Sequence, residues 1–327
     1  MITKISNTQG NHVKVRRTLL SSDNIFNLLM TKQFVLYCKA KHKTKHKKSK
    51  RDLCCFSYNS KYVLMMTIER FREKFMARLQ DIIQWCDQTL IVHEFKDYAP
   101  NGLQIEGKAE VNKILCAVTA SQGAIEAAIA QGADLLLVHH GYFWKGEPYP
   151  ITGMRGKRIK TLIQHDISLV GYHLPLDSHP TLGNNAAIAD LLELENLEQL
   201  DSNERRPIGN IGYLKQAMTP EQFKAYVSEK LGFDAIHLPA DKTEIRKVGF
   251  CTGGAQDYIQ KAAAQNCDAY ISGEVSERTF YEAQELDVHY YACGHHATEK
   301  YGVQRLAKVI SQQFNIEYSY FELNNPI

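Results

Sequence analysis

Six of the thirteen histidines fall in three short segments. One is Val138-His139-His140-Gly141. The second runs from Tyr172 to His179 and holds His173, Asp177 and His179. The third is Gly294-His295-His296, with Glu299 following. Imidazole and carboxylate without thiolate suit Fe, Mn, Zn, Co or Ni. Two divalent metal ions are the expected cofactor, with iron put first and Mn, Zn, Co or Ni left open. His139 and His140 end an apolar run, and neighbouring strand residues point to opposite sides. At a strand terminus such a pair straddles a point, and can serve two ions roughly 3.5–4 Å apart. His295 and Glu299 share one face if a helix begins at Gly294, and Gly294 would let the backbone come close to the site.

Each residue alone also has an ordinary role. Asp177 suits an Asx-turn, and Glu299 suits the first turn of a helix. His173 and His296 are expected to orient ligands rather than bind metal themselves. What favours chemistry is the arrangement of the elements that carry these residues. Lys113–Ala120 reads as a strand, 121–132 as a helix, 133–141 as a strand, 156–166 as a helix and 167–173 as a strand. Near-continuous Val/Ile/Leu runs between helical patterns indicate parallel strands covered on both faces. The same alternation returns at 246–254, 255–266, 267–274, 276–287 and 288–296, before a helix to Phe314 and a closing strand from Ile316. Aligning the halves sets Asp134 against Asp268, His139-His140 against Gly273-Glu274, His173 against His295 and Asp177 against Glu299. The expected fold is α/β: two similar, duplicated lobes with mostly parallel sheets, facing each other around a dinuclear metal site. Lobe 1 spans 66–200 with its N-terminal helix, lobe 2 spans 201–327, and together they form one metal-binding unit. Thr219-Pro220 with Gln222 predicts an N-cap, N1 proline and capping box. In open parallel sheets, ligand sites lie beyond the carboxyl ends of the strands, where all these polar residues sit.

Residues 1–66 hold 14 of the 39 Lys and Arg but only two of the 36 acids, so 67–327 carries a net charge of −9. Nucleic-acid binding by that acidic body is disfavoured. Residues 1–65, with the run KAKHKTKHKKSKR, are expected to be a disordered basic leader, either a non-native upstream translation or a dispensable tail rather than a nucleic-acid or membrane-surface arm, and Met66 would make a natural start. Ile68, Phe71, Phe75, Leu79, Ile82, Ile83 and Cys86 predict a helix just after it. Eight cysteines without a C-x-x-C pattern, several in apolar runs, indicate a reducing, cytoplasmic setting. No membrane association is expected.

The segments VHHGYFWKGE, GYHLPLDSHPTLGNNAAIA, SGEVSE and GHHATEKYG closely resemble, in order, the motifs of the dinuclear-metal-centre proteins. These are the NGG-one-interacting-factor-three-like family, whose members are called GTP cyclohydrolase type 2 homologues. The resemblance covers about 68–327. It implies two α/β lobes sandwiching a dinuclear site, a toroidal homo-hexamer built as a trimer of dimers, and metal ligands at His139, His140, Asp177, His295 and Glu299.

Two ions would generate hydroxide at neutral pH as the nucleophile. The expected function is a dinuclear metal-dependent hydrolase acting on a nucleotide, possibly by GTP cyclohydrolase-like opening of a purine ring. Glu274 is the candidate acid/base, or else an orienting group. Tyr142, Phe143 and Trp144 could stack on a base or pack in an interface. Lys145, Arg155, Lys157 and Arg158 could meet phosphates or form a solvated face. The alternative is a non-catalytic metal-binding ring that scaffolds proteins or encircles nucleic acid.

Overall fold

The computed structural model describes residues 77–203 and 205–327, all within one compact unit. The leader expected over 1–65 lies outside the described residues, as does the start of the first predicted helix. Among the described residues, the predicted run is interrupted by a short strand before its second half turns helical. Ala77–Arg78 is a short strand (β1) paired with Glu110–Val111, and α1 spans Leu79–Thr89. Leu79, Ile82, Ile83 and Cys86 form its buried stripe.

The chain continues through β2 (Gly102–Ile105), β3 (Glu110–Val111), β4 (Lys113–Thr119), α2 (Gln122–Ala130), β5 (Leu135–His140), α3 (Gly153–Gln164) and β6 (Ser168–Gly171). A single turn, α4 (Leu174–Asp177), leads to α5 (Asn184–Leu191), β7 (Glu195–Gln199) and β8 (Asn210–Met218). Then come α6 (Pro220–Leu231), β9 (Ile236–Leu238), β10 (Ile245–Phe250), α7 (Ile259–Ala264), β11 (Ala269–Ser272), α8 (Glu277–Glu285), β12 (His289–Ala292), α9 (His295–Phe314) and β13 (Glu317–Tyr320). The capping box predicted at Thr219 and Gln222 opens α6, with Pro220 in its first turn.

Two sheets result. The five-stranded sheet has the order β13-β4-β5-β6-β2, and only its β2–β6 pairing is antiparallel. The six-stranded sheet has the order β7-β8-β10-β11-β12-β9. It is mixed rather than mostly parallel: β10–β11 and β11–β12 are parallel, and the other three pairings are antiparallel. The flanking strands β7, β8 and β9 bring in the antiparallel pairs that periodicity alone did not reveal.

The inner parallel strands, β4, β5 and β6 in one sheet and β10, β11 and β12 in the other, are largely buried on both faces, as their apolar runs require. Side chains alternate across the sheet. Leu135 and Leu137 of β5 pack with α1 and with Val303, Leu306 and Ile310 of α9. Leu136 and Val138 pack with Ile125 of α2 and Leu162 of α3. In the second sheet, Val248 and Ile271 meet Phe223 and Val227 of α6, while Tyr270 and Tyr290 meet Ile259 of α7 and Ala283 of α8.

Sheet membership does not follow a division at residue 200. The strand β7 pairs in the six-stranded sheet, and β13 pairs with β4 in the five-stranded one. The 20-residue α9 carries the chain about 30 Å along its axis, from the end of β12 back to the first sheet.

The two parallel cores share one register. Ile114 pairs with Leu135 as Val248 pairs with Ala269, and Leu135 with Ser168 as Ala269 with His289. Asp134 accepts bonds from the amides of Asn112 and Lys113, and Asp268 accepts them from Arg246 and Lys247. In both cores a carboxylate before the second strand pins the start of the first.

Candidate metal centre

Four strand or helix ends converge at the carboxyl side of the parallel strands. His139 and His140 close β5, His173 follows β6, Asp177 closes α4, and His295 and Glu299 lie one turn apart at the start of α9. His139 shares the face of Leu135 and Leu137, which looks toward α9; His140 takes the opposite side. Both still reach Glu299. Its Oε2 lies 3.0 Å from His140 Nε2, 2.9 Å from His295 Nε2 and 3.6 Å from His139 Nε2. His139 Nε2 is also 3.4 Å from Asp177 Oδ1. Two triads with metal-ligand spacing therefore share Glu299: His139, Asp177, Glu299 and His140, His295, Glu299. A third group joins His139, His140 and His173.

Four of these imidazoles are held by Nδ1, each by a different partner. His139 Nδ1 is 2.8 Å from the Tyr172 carbonyl, His140 Nδ1 is 3.2 Å from Thr119 Oγ1, His173 Nδ1 is 2.9 Å from Asp97 Oδ1, and His295 Nδ1 is 2.7 Å from Glu274 Oε1. A carbonyl or carboxylate at Nδ1 places the proton there and leaves Nε2 to the site. Such orienting partners are what fixes the tautomer of a metal-binding histidine.

The electrostatics are those of opposite charges crowded away from water. Burial pushes the His139 imidazole down, but Asp177 and Glu299 outweigh it and carry it up to about 10. His140 goes the other way: burial dominates, His139 and His295 add to it against Glu299, and the group falls to about 4. Burial also lowers His295, yet Glu299 and Glu274 raise it to about 9. Glu299 is pushed up by burial but held well below the carboxylate range by His139 and His140. Asp177 is raised, chiefly by burial, with His139 opposing.

The donor set fits divalent metal ions. His139 Nε2 and Glu299 Oε2 are both buried and close no well-aligned hydrogen bond, although imidazole nitrogens stand 2.9–3.6 Å from Oε2, a costly state for buried polar and charged atoms. They sit side by side at the join of the two triads, where an ion would satisfy both. Nitrogen and oxygen donors without thiolate select Fe, Mn, Zn, Co or Ni.

All five residues expected as ligands come together, and His173 stands with them, its Nδ1 held by Asp97. His296 does not orient any of them: its Nε2 bonds Glu322 Oε1 at 2.7 Å on the C-terminal segment. Glu274 is engaged by His295 through Oε1, so it positions that imidazole. Tyr142 is buried with its hydroxyl donating to the Ala120 carbonyl, and offers no stacking face. Arg155 is occupied by Glu147 and by the carbonyls of Pro148 and Pro150. Gly294 has φ +83 at the head of α9, but its close neighbour is the Phe233 ring rather than the site.

The sequence reading missed several supporting residues. Asp97, in the turn before β2, also accepts bonds from the amides of Ala99 and Leu174 and from Asn101. Its carboxyl is raised by burial but held down to about 2, mainly by His173. Asn184 donates to Asp177 Oδ1 and accepts from the Gly302 amide, tying Asp177 to α9. Thr252 Oγ1 also faces Asp177 Oδ1, at 3.4 Å. Gly253 has φ +68, and a Cβ there would overlap Glu299 Oε1. The KDYAPNG turn carried a readable carboxylate; the other contacts join residues far apart in sequence.

Among relatives, the chain is 51% identical over 237 residues to the GTP cyclohydrolase 1 type 2 homolog of Pasteurella multocida, covering 70% of this chain and 92% of that protein. It is 46% identical over 243 residues to the protein of the same name from Vibrio cholerae, covering 74% and 96%. Among solved structures it is similar to protein ybgI, described as of unknown function, with TM-score 0.73, 39% identity and coverage of 77% and 100%. TTHA1606 from Thermus thermophilus matches with TM-score 0.70, 27% identity and coverage of 77% and 100%. The family model for Duf34/NIF3 (NGG1p interacting factor 3) matches residues 77–326. This chain therefore belongs to the Duf34/NIF3 family.

Proposed function

We propose that the chain is a dinuclear metal-dependent hydrolase acting on a nucleotide, with opening of a purine imidazole ring, as in a GTP cyclohydrolase, as its reaction. The observation that carries this reading is the pair of donor triads sharing one buried carboxylate oxygen on Glu299, within 3.6 Å of three imidazole nitrogens. In this reading His139, Asp177 and Glu299 hold one divalent ion, and His140, His295 and Glu299 the other, with iron the first candidate. Bound there, the ions supply Lewis acidity and an activated water. The chain's own part is positional. Tyr172, Thr119 and Glu274 aim the Nε2 atoms, and Asn184 and Thr252 fix Asp177. His173, braced by Asp97, presents a further Nε2 beside the triads without belonging to either. The name shared by the relatives supports the substrate class.

The two sheets are read here as duplicated lobes of one unit. The shared register of the parallel cores and the matched roles of Asp134 and Asp268 support this. We also propose a homo-hexamer, a trimer of dimers, on the strength of the family resemblance. A cytoplasmic location is proposed from cysteine usage, and Cys86, Cys116, Cys267 and Cys293 are buried free thiols. Among those residues, no helix is long and apolar enough to cross a membrane.

The test is anaerobic purification, reloading with Fe, Mn or Zn, incubation with GTP and other nucleotides, and mass spectrometry of the products. Turnover that is lost in Asp177→Ala supports the hydrolase. No turnover with any metal refutes it and leaves a non-catalytic metal-binding ring.

A further inference from the structure

Beside the histidine cluster stands a large aromatic side chain that the fold leaves half in water. Tyr98 is 55% exposed, although its ring is only 5.0 Å from that of His173. Trp144 completes the wall, 5.1 Å from His173, 5.9 Å from His140 and 5.7 Å from Tyr98. Both rings stand nearly edge-on to His173, at 73° and 78°. Tilted 37° to each other, they are not stacked, so neither covers the other's face.

The wall is rigid. Lys145 N donates to the Tyr98 carbonyl at 2.7 Å, which joins the two loops. Trp144 Nε1 donates to the Gly141 carbonyl, and Trp144 N to Glu147 Oε2. Phe143, directly before Trp144, has φ +65, a conformation costly for an aromatic residue and maintained only where surroundings enforce it. On the other side, the Asp97 carboxylate fixes the backbone at Ala99 and Leu174. Trp144 is held beside the site through its indole N–H, and Tyr98 by its braced backbone and by its ring contacts with Trp144 and His173. Pre-ordered aromatic faces bind flat π-systems such as bases at low entropic cost.

We propose that Tyr98 and Trp144 form the platform on which the planar heteroaromatic ring of the substrate, a purine base, is held beside the histidine cluster. This rests on the nucleotide reading above and assigns its specificity to these two residues. Tyr142, buried and hydrogen-bonded, has no part in it. Lys145, exposed and next in sequence to Trp144, is placed to meet the phosphate side of such a ligand.

The chain has two tryptophans, and Trp85 packs edge-on against Phe314 in the core. In a Trp85→Phe background, Trp144 alone reports. Full-length protein would be titrated with guanosine monophosphate and, separately, ribose 5-phosphate, by Trp144 fluorescence and, for the wild type and each platform variant, by equilibrium dialysis. Bound metal would be measured on the same samples. The platform predicts saturable quenching by the nucleotide and at least about tenfold weaker binding of ribose 5-phosphate. Tyr98→Leu and Trp144→Leu should each weaken nucleotide binding about 5- to 100-fold at unchanged metal content, and Tyr98→Phe should restore it to within about twofold. Equal affinity for the two probes, or wild-type nucleotide affinity in both Leu variants, overturns the platform. The two readings fail separately. Nucleotide quenching in metal-reloaded protein that turns over no nucleotide would sink the hydrolase and keep the platform. Metal-dependent turnover indifferent to Tyr98 and Trp144 would sink the platform alone.

Discussion

Gly253→Ala tests the centre at a position that no ligand pattern points to. Gly253 sits at φ +68, and a Cβ there would overlap Glu299 Oε1 and lie 3.1 Å from His295 Nε2. Two costs follow, and they can be separated. The first is backbone: a non-glycine residue in the left-handed region loses roughly 1–2 kcal/mol, which lowers Tm by roughly 2–8 °C for a domain of this size. The second is steric. Glu299 must swing away from the point where its Oε2 meets three imidazoles, and both triads lose their shared donor. Disturbing a group that merely orients a ligand costs about 10–100-fold in metal affinity, so displacing the shared ligand should cost at least that for both ions. Gly132→Ala isolates the first cost. Its φ is +64, but a Cβ there meets nothing within 4 Å. Both variants would be melted in excess chelator, then titrated with Mn under anaerobic conditions and analysed for bound metal. Similar losses of Tm, with weakened metal binding only in Gly253→Ala, are expected. Wild-type metal affinity in Gly253→Ala would refute the placement of Glu299 as the shared donor.

Other consequences follow from the same contacts. Glu274→Ala removes the acceptor at His295 Nδ1, so metal affinity should fall about tenfold or more, while Glu274→Gln, which can still accept, should recover most of it in the same titration. Asp134→Ala frees the amides of Asn112 and Lys113 and should cost about 2–4 kcal/mol in urea unfolding at neutral pH. Burial raises the Asp134 carboxyl, but Lys108 and those amides outweigh it and hold it below its ordinary 3.8. Its stabilisation is therefore complete above that value and fades as pH falls through the lower folded value, so the gap between variant and wild type should close in acid. A chain starting at Met66 should fold and bind metal like the full chain, by circular dichroism and elemental analysis; failure of either would make residues 1–65 a working part.

Much of the site was legible because its ligands are grouped by short-range spacing. His139 and His140 are adjacent, and His295 and Glu299 are one helical turn apart, so strand and helix periodicity suffice to place each pair. What periodicity could not show is how distant segments meet. Asp97 braces His173 from a loop before β2, Thr252 reaches Asp177 across 75 positions, and Asn184 links Asp177 to Gly302. Periodicity groups the closing strand with its sequence neighbours. A long α9 returns β13 to the first sheet instead, and a helix pattern says nothing about which sheet its far end meets. The mixed character of the second sheet escaped for a similar reason: strand direction is set by connections, and an apolar run reads alike either way.

The central claim is that Glu299 joins two ions. Its most direct measurement is elemental analysis of anaerobically reloaded wild type, His139→Ala, His140→Ala and Glu299→Gln. Two ions per wild-type chain, one in each histidine variant and fewer than one in Glu299→Gln, all with wild-type far-ultraviolet circular dichroism, are predicted. A single ion in the wild type, or two ions retained in Glu299→Gln, would contradict it.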